Sequence, residues 1–222
     1  MPKQRTAMPA GNGAVPITQL LAEAGFAGAA AQRRARAVLE EGGLTRPGKT
    51  GIAAEKRDRA LALLATRLAA TCGERCARLL ADGREPVRTD GRTCEVCAGS
   101  NNRRAALAAA RALRDGGITR VLVVGGTPPQ QNELKGLFAR SGITLTFVDG
   151  TKASHTLRDA ETNIKRVQMV VIWGPTPLRH AVSELYTREP PAHVRLVTVN
   201  KRGIEALCSE IERNMRGGRR RG

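Results

Sequence analysis

From Arg120 to Met215 the sequence alternates between short β-branched runs and longer amphipathic stretches, and no other feature restricts the fold as much. RVLVVGG precedes QQNELKGLFARSG, and TLTFVDG precedes SHTLRDAETNIKR. VQMVVIWG precedes LRHAVSELYT, and VRLVTVN precedes RGIEALCSEIERNM. Short runs of Val, Ile and Leu are what a parallel strand needs when both of its faces are covered. Four β-α units in succession predict an α/β domain over 105–213, built on a four-stranded parallel sheet with right-handed crossovers. A basic tail, 214–222, carries Arg219, Arg220 and Arg221. It is expected to be disordered and able to touch phosphate without fixed geometry.

In such sheets a ligand sits beyond the carboxyl ends of the strands. Four loops meet there: Gly125-Gly126-Thr127, Asp149-Gly150-Thr151, Trp173-Gly174-Pro175-Thr176 and Asn200-Lys201-Arg202. The candidate ligand-binding residues are therefore Gly125, Gly126, Thr127, Asp149, Gly150, Gly174 and Lys201. The first loop reads GGTPPQQ, which is neither a dinucleotide fingerprint nor a phosphate-binding G-K-[ST] loop. Asp149 either binds a ribose hydroxyl or terminates a strand and caps a turn. His155 and His180 stand near the same edge, so a general base paired with Asp149 is the enzymatic alternative. No carboxylate cluster suited to two-metal chemistry is present. Cys208, among apolar neighbours on the last helix, reads as core.

Residues 118–208 resemble a bacterial Rossmann-like family known only as a domain of unknown function. The likeness rests on VLVVGG, a helix ending at Gly142, FVDGT, VVIWG with His180 downstream, and VTVNKRGIEAL. It implies a fold and a strand-edge site, and no particular activity.

Upstream, Cys72, Cys76, Cys94 and Cys97 are spaced as C-x3-C and C-x2-C, seventeen residues apart. Two close pairs across a loop of that size suit tetrahedral Zn2+. Four protein ligands leave no open position, so such a site is structural. The alternatives are four small apolar residues or two redox pairs. The first pair continues a helical pattern that starts near Ala53, which predicts both sulfurs on one helix face. The second pair reads as a knuckle followed by a helix capped by Ser100 or Asn101. Residues 72–104 are then a zinc-binding connector between a helical region and the α/β half. ADGREPVRTDGRT, between the pairs, has two Asp-Gly steps that fit a hairpin.

Residues 1–15 read as a disordered basic arm and 16–71 as a helical region. Two short helices followed by the basic loop LTRPGKTGI resemble part of a winged helix. In that picture Arg33, Arg34 and Arg36 face a major groove, and Arg46 and Lys49 lie on a wing-like hairpin touching phosphate. The alternative is a helical cap whose arginines keep it in solution. Arg103 and Arg104 open a helix whose dipole disfavours cations there, so a bound anion would relieve the conflict.

Thirty-seven Lys and Arg against twenty Asp and Glu leave a formal charge of +17, which directs attention to an anionic partner. The excess is spread evenly, with 18 basic and 10 acidic residues in 1–104 and 19 and 10 in 105–222. Aromatic residues make up only 2%, against a base-stacking platform for single strands. No apolar run is long enough for a membrane span, and the N-terminus lacks a signal-peptide core. Cysteines in metal-like pairs fit a reducing bacterial cytoplasm. The expected function is nucleic-acid binding, duplex DNA before RNA, with the Rossmann-like half as a sensor or interaction module. A scaffold docking on an acidic protein partner is the further alternative.

Overall fold

The computed structural model describes residues 13–152, 156–188 and 191–217, and the chain divides into two compact units, 1–99 and 100–222. In the first unit, β1 (Val15–Pro16) leads directly into α1 (Ile17–Glu23), and α2 (Ala29–Glu41) follows a tight turn. The loop carrying Arg46 and Lys49 joins α2 to β2 (Gly51–Ile52). β2 pairs antiparallel with β1, the segment before the helices, so this loop is not a hairpin of consecutive strands. α3 (Arg57–Arg67) completes the helical layer. Ile17, Leu20 and Leu21 of α1, Ala35, Val38 and Leu39 of α2, and Ala60 and Leu64 of α3 form its core.

The helical pattern stops earlier than its period predicts. Leu61, Leu64 and Leu68 keep helical spacing, but β3 (Leu68–Thr71) is a strand with all four residues buried. It pairs in parallel with β4 (Glu85–Arg88), Leu68 opposite Glu85 and Thr71 opposite Arg88. The expected hairpin between the cysteine pairs is thus replaced by a parallel crossover through α4 (Glu74–Ala77). Burial decides the matter: a ladder satisfies the backbone of a fully enclosed LAAT segment, which with both faces covered shows no alternation of apolar and polar residues.

The second unit opens with α5 (Asn101–Asp115), capped where the Ser100 hydroxyl accepts from the Arg103 N–H at 3.1 Å. Then come β5 (Arg120–Val124), α6 (Pro128–Phe138), β6 (Thr144–Val148), α7 (Leu157–Lys165), β7 (Met169–Trp173), α8 (His180–Thr187), β8 (Arg195–Val199) and α9 (Ile204–Gly217). All four strands are parallel, in the order β6-β5-β7-β8. Alternate residues face opposite layers. Val121, Val123, Met169, Val171 and Val197 pack with α5, α6 and α9. Leu122, Val124, Val170 and Ile172 pack with α7 and α8. The strand order reverses between β5 and β7, which places the topological switch point there. Among the described residues no helix is long and apolar enough to cross a membrane.

Candidate metal centre

Strand β3 delivers Cys72 at its end, α4 carries Cys76, and the Cys94–Cys97 turn brings back the second pair. All four sulfurs lie within 4.8 Å of one another. Cys72 Sγ is 3.5 Å from Cys76 Sγ and 3.6 Å from Cys97 Sγ. A tetrahedron with metal–sulfur bonds of about 2.3 Å has edges of about 3.8 Å, so the cluster has the size of a metal-thiolate site. All four cysteines are free of disulfides, whose bonded sulfurs would lie about 2 Å apart. Cys76, Cys94 and Cys97 are buried, and Cys72 is half-buried. The expectation of one helix face for the first pair is corrected: a strand end and a short helix converge instead.

The second pair is a knuckle. The Ala98 N–H donates to the Cys94 carbonyl at 2.8 Å, and Ala98 turns left-handed at φ 47° ahead of Gly99 at φ 80°. This reversal brings the Gly99 N–H onto Cys97 Sγ. Burial pushes the Cys94 thiol up, but N–H groups of Cys97, Cys72 and Val96 pull it down to about 7. Burial, then hydrogen bonds from neighbouring thiols, push Cys76 up. The amide donors on Cys94 favour the thiolate form that a metal requires, whereas burial holds Cys76 and Cys97 above the ordinary thiol range.

Two residues that the spacing of cysteines did not single out hold the knuckle. Glu95 clamps it to β3: its N–H donates to the Ala70 carbonyl, and its Oε1 accepts from the Ala70 N–H, each at 2.9 Å. Arg84 pairs with Glu95 at 2.8 Å while donating to the Leu68 carbonyl at 3.1 Å. These partners fix the ligands from behind, as second-layer groups do in metal sites.

No known protein family, curated protein or solved structure matches the chain. The chemistry therefore rests on the residues themselves.

At the carboxyl edge of the sheet the predicted loops do meet, and their described residues are bonded to one another. The segment after β7 runs across the strand ends. Thr176 Oγ1 donates to the Trp173 carbonyl at 2.6 Å and accepts from the Gly126 N–H at 2.8 Å. Farther on, the Arg179 N–H donates to the Gly150 carbonyl at 2.8 Å. Gly125 and Gly126 are glycines because of this strap. A Cβ on Gly125 would lie 2.6 Å from Thr176 Oγ1, and one on Gly126 3.0 Å from the Trp173 ring.

The N-terminus of α6, where a dinucleotide fold holds phosphate, is consumed as well. Gln130 Oε1 accepts from the Thr127 N–H and hydroxyl, closing a capping box. Pro128 and Pro129 have no N–H to offer. Gln131 bridges the carbonyls of Gly125 and Gly126. Asp149 Oδ1 accepts from the Thr151 N–H and hydroxyl, as a turn-closing side chain does. Gly174 and Lys201 are exposed, and the Lys201 carbonyl accepts from Trp173 Nε1 at 3.3 Å. His180 is exposed at the start of α8. His155, Arg219, Arg220 and Arg221 lie outside the described residues.

Two of the arginines expected to face DNA are engaged within the first unit. Arg34 grips Glu85 through two bonds of 2.7 Å and also meets Glu41. Arg36 pairs with Glu40 and donates to the Lys49 carbonyl at 2.6 Å, bracing the basic loop. Arg33, Arg46 and Lys49 are exposed, as is Arg103, while the Arg104 side chain donates to Asn101 Oδ1.

Proposed function

We propose that this chain is a nucleic-acid-binding protein of the bacterial cytoplasm, acting on duplex DNA. Its first unit is held together by a structural Zn2+ on Cys72, Cys76, Cys94 and Cys97. The observation that carries the binding reading is the charge of +17, which leaves basic side chains far in excess of the carboxylates able to pair with them. Arg33 on α2, with Arg46 and Lys49 on the loop between α2 and β2, has no ion pair among the described residues, and the three are candidate phosphate contacts. Zinc is the metal that four thiolates at tetrahedral spacing select most simply, and a closed four-thiolate shell serves structure.

The bonded strand ends favour binding over nucleotide chemistry, because the described donors at the head of α6 are already satisfied. The Rossmann-like unit, which residues 118–208 resemble, is then an interaction module.

Fluorescence anisotropy of the full chain with labelled duplex DNA across a salt series tests this reading. Binding that weakens by about 0.9 log units per phosphate contact for each tenfold rise in salt is the expected result. An absence of binding at low salt overturns it.

A further inference from the structure

The same topology that brings these loops together gathers basic side chains around them. Lys152 follows the turn that ends β6, and Arg158 lies in the first turn of α7. Arg179 is tied to the end of β6 through the Gly150 carbonyl. Lys201 and Arg202 follow β8 directly, and the Trp173 indole holds the Lys201 backbone beside the end of β7. All five are exposed, and none is in a salt bridge among the described residues. The acidic groups at this edge are Asp149, Asp159 and Glu205. Asp149 is turned onto Thr151, and Asp159 onto the Thr156 N–H and hydroxyl.

We infer that the carboxyl edge of the sheet is a second contact surface for the phosphate backbone of duplex DNA, formed by Lys152, Arg158, Arg179, Lys201 and Arg202. This rests on the nucleic-acid reading above and assigns it a place that the helical unit does not supply. Strands about 4.8 Å apart spread this row over about 14 Å from β6 to β8. Duplex DNA presents about eight phosphate charges over that length of its axis.

Two observations select a duplex backbone over smaller or unpaired ligands. Among the described residues, Thr176 and Gln130 take up the N–H groups of Gly126 and Thr127 and the two prolines have none, so the head of α6 offers a mononucleotide phosphate no donor set. Phe26, Phe138, Trp173 and Tyr186 are buried and Phe147 is partly so, which accounts for every aromatic residue and leaves none exposed to stack on a splayed base.

The test uses the full chain and a combined variant, Lys152→Gln, Arg179→Gln, Lys201→Gln and Arg202→Gln, with thermal unfolding as the control for folding. A partner variant, Arg33→Gln, Arg46→Gln and Lys49→Gln, reports on the first unit. The edge variant is expected to bind duplex DNA at least tenfold more weakly at moderate salt, with a salt slope shallower by about 3 to 4. Should it fail to fold, Lys201→Gln with Arg202→Gln is expected to lower the slope by about 2. Wild-type affinity and slope in a folded edge variant overturn the inference while leaving the function intact. Loss confined to the first-unit variant does the same. Failure of the wild type to bind DNA overturns the function instead. ATP competing with the duplex at micromolar levels, or a structured RNA binding more tightly than the duplex, also overturns the assignment.

Discussion

The two units reach a folded state by different means. The second encloses its sheet between two apolar layers, with Val121, Leu122, Val123 and Val124 of one strand all buried. Among its described residues the first has three longer helices and the single turn of α4, two pairs of very short strands and a cluster of four thiols where a further apolar layer would otherwise be needed. A sheet covered on both faces is stabilised by apolar area. A small unit with short elements needs a cross-link, and the proposed metal would supply one.

Removing the proposed zinc should separate the two units most sharply. Structural zinc contributes about 10 kcal/mol or more in comparable sites. A strong chelator, or Cys94→Ser, is expected to release one zinc per chain and unfold the first unit alone. Metal analysis and calorimetry would then show a lost transition beside a retained one. A chain holding well under one zinc as purified in reducing buffer breaks the comparison. Because thiolates must be deprotonated to bind, the chelator should act more readily as the pH falls.

The converse experiment is Leu122→Ala, in the centre of β5 with no exposure. It should lower the stability of the second unit by about 2–5 kcal/mol and leave zinc content unchanged. Equal effects on both calorimetric transitions would show that the units do not unfold independently.

The smallest effect sharpens the account of the knuckle. Ala98 holds a left-handed conformation that costs a residue with a Cβ about 1 kcal/mol. Ala98→Gly should therefore raise the stability of the first unit by about 0.5 kcal/mol, after the entropy that glycine loses on folding. A decrease would mean that the Ala98 side chain contributes packing that outweighs its backbone strain.

The α/β half was legible in the sequence because its signals are redundant: each strand is a β-branched run, and each is followed by a longer amphipathic stretch. The cysteine pairs were legible from spacing alone. β3 was not, because LAAT prolongs the helical spacing of Leu61 and Leu64, and only its partner strand 17 positions away makes it extended. The glycines at the strand ends were visible, but their reason was not. Gly125 and Gly126 make room for Thr176 and Trp173, residues about 50 positions distant. Arg34 and Arg36 looked free for DNA because an arginine's partner cannot be read from its own helix. Glu95 and Arg84, which lock the knuckle, gave no local signal beyond their charge.

Trp173 has one more consequence. It is the single tryptophan of the chain, fully enclosed, with its indole N–H on the Lys201 carbonyl and its ring against Gly126. The protein thus carries its own optical gauge at the end of the sheet. Its emission is set by the strap and by the loop bearing two of the basic side chains, so an event at that edge can be followed without attaching a dye.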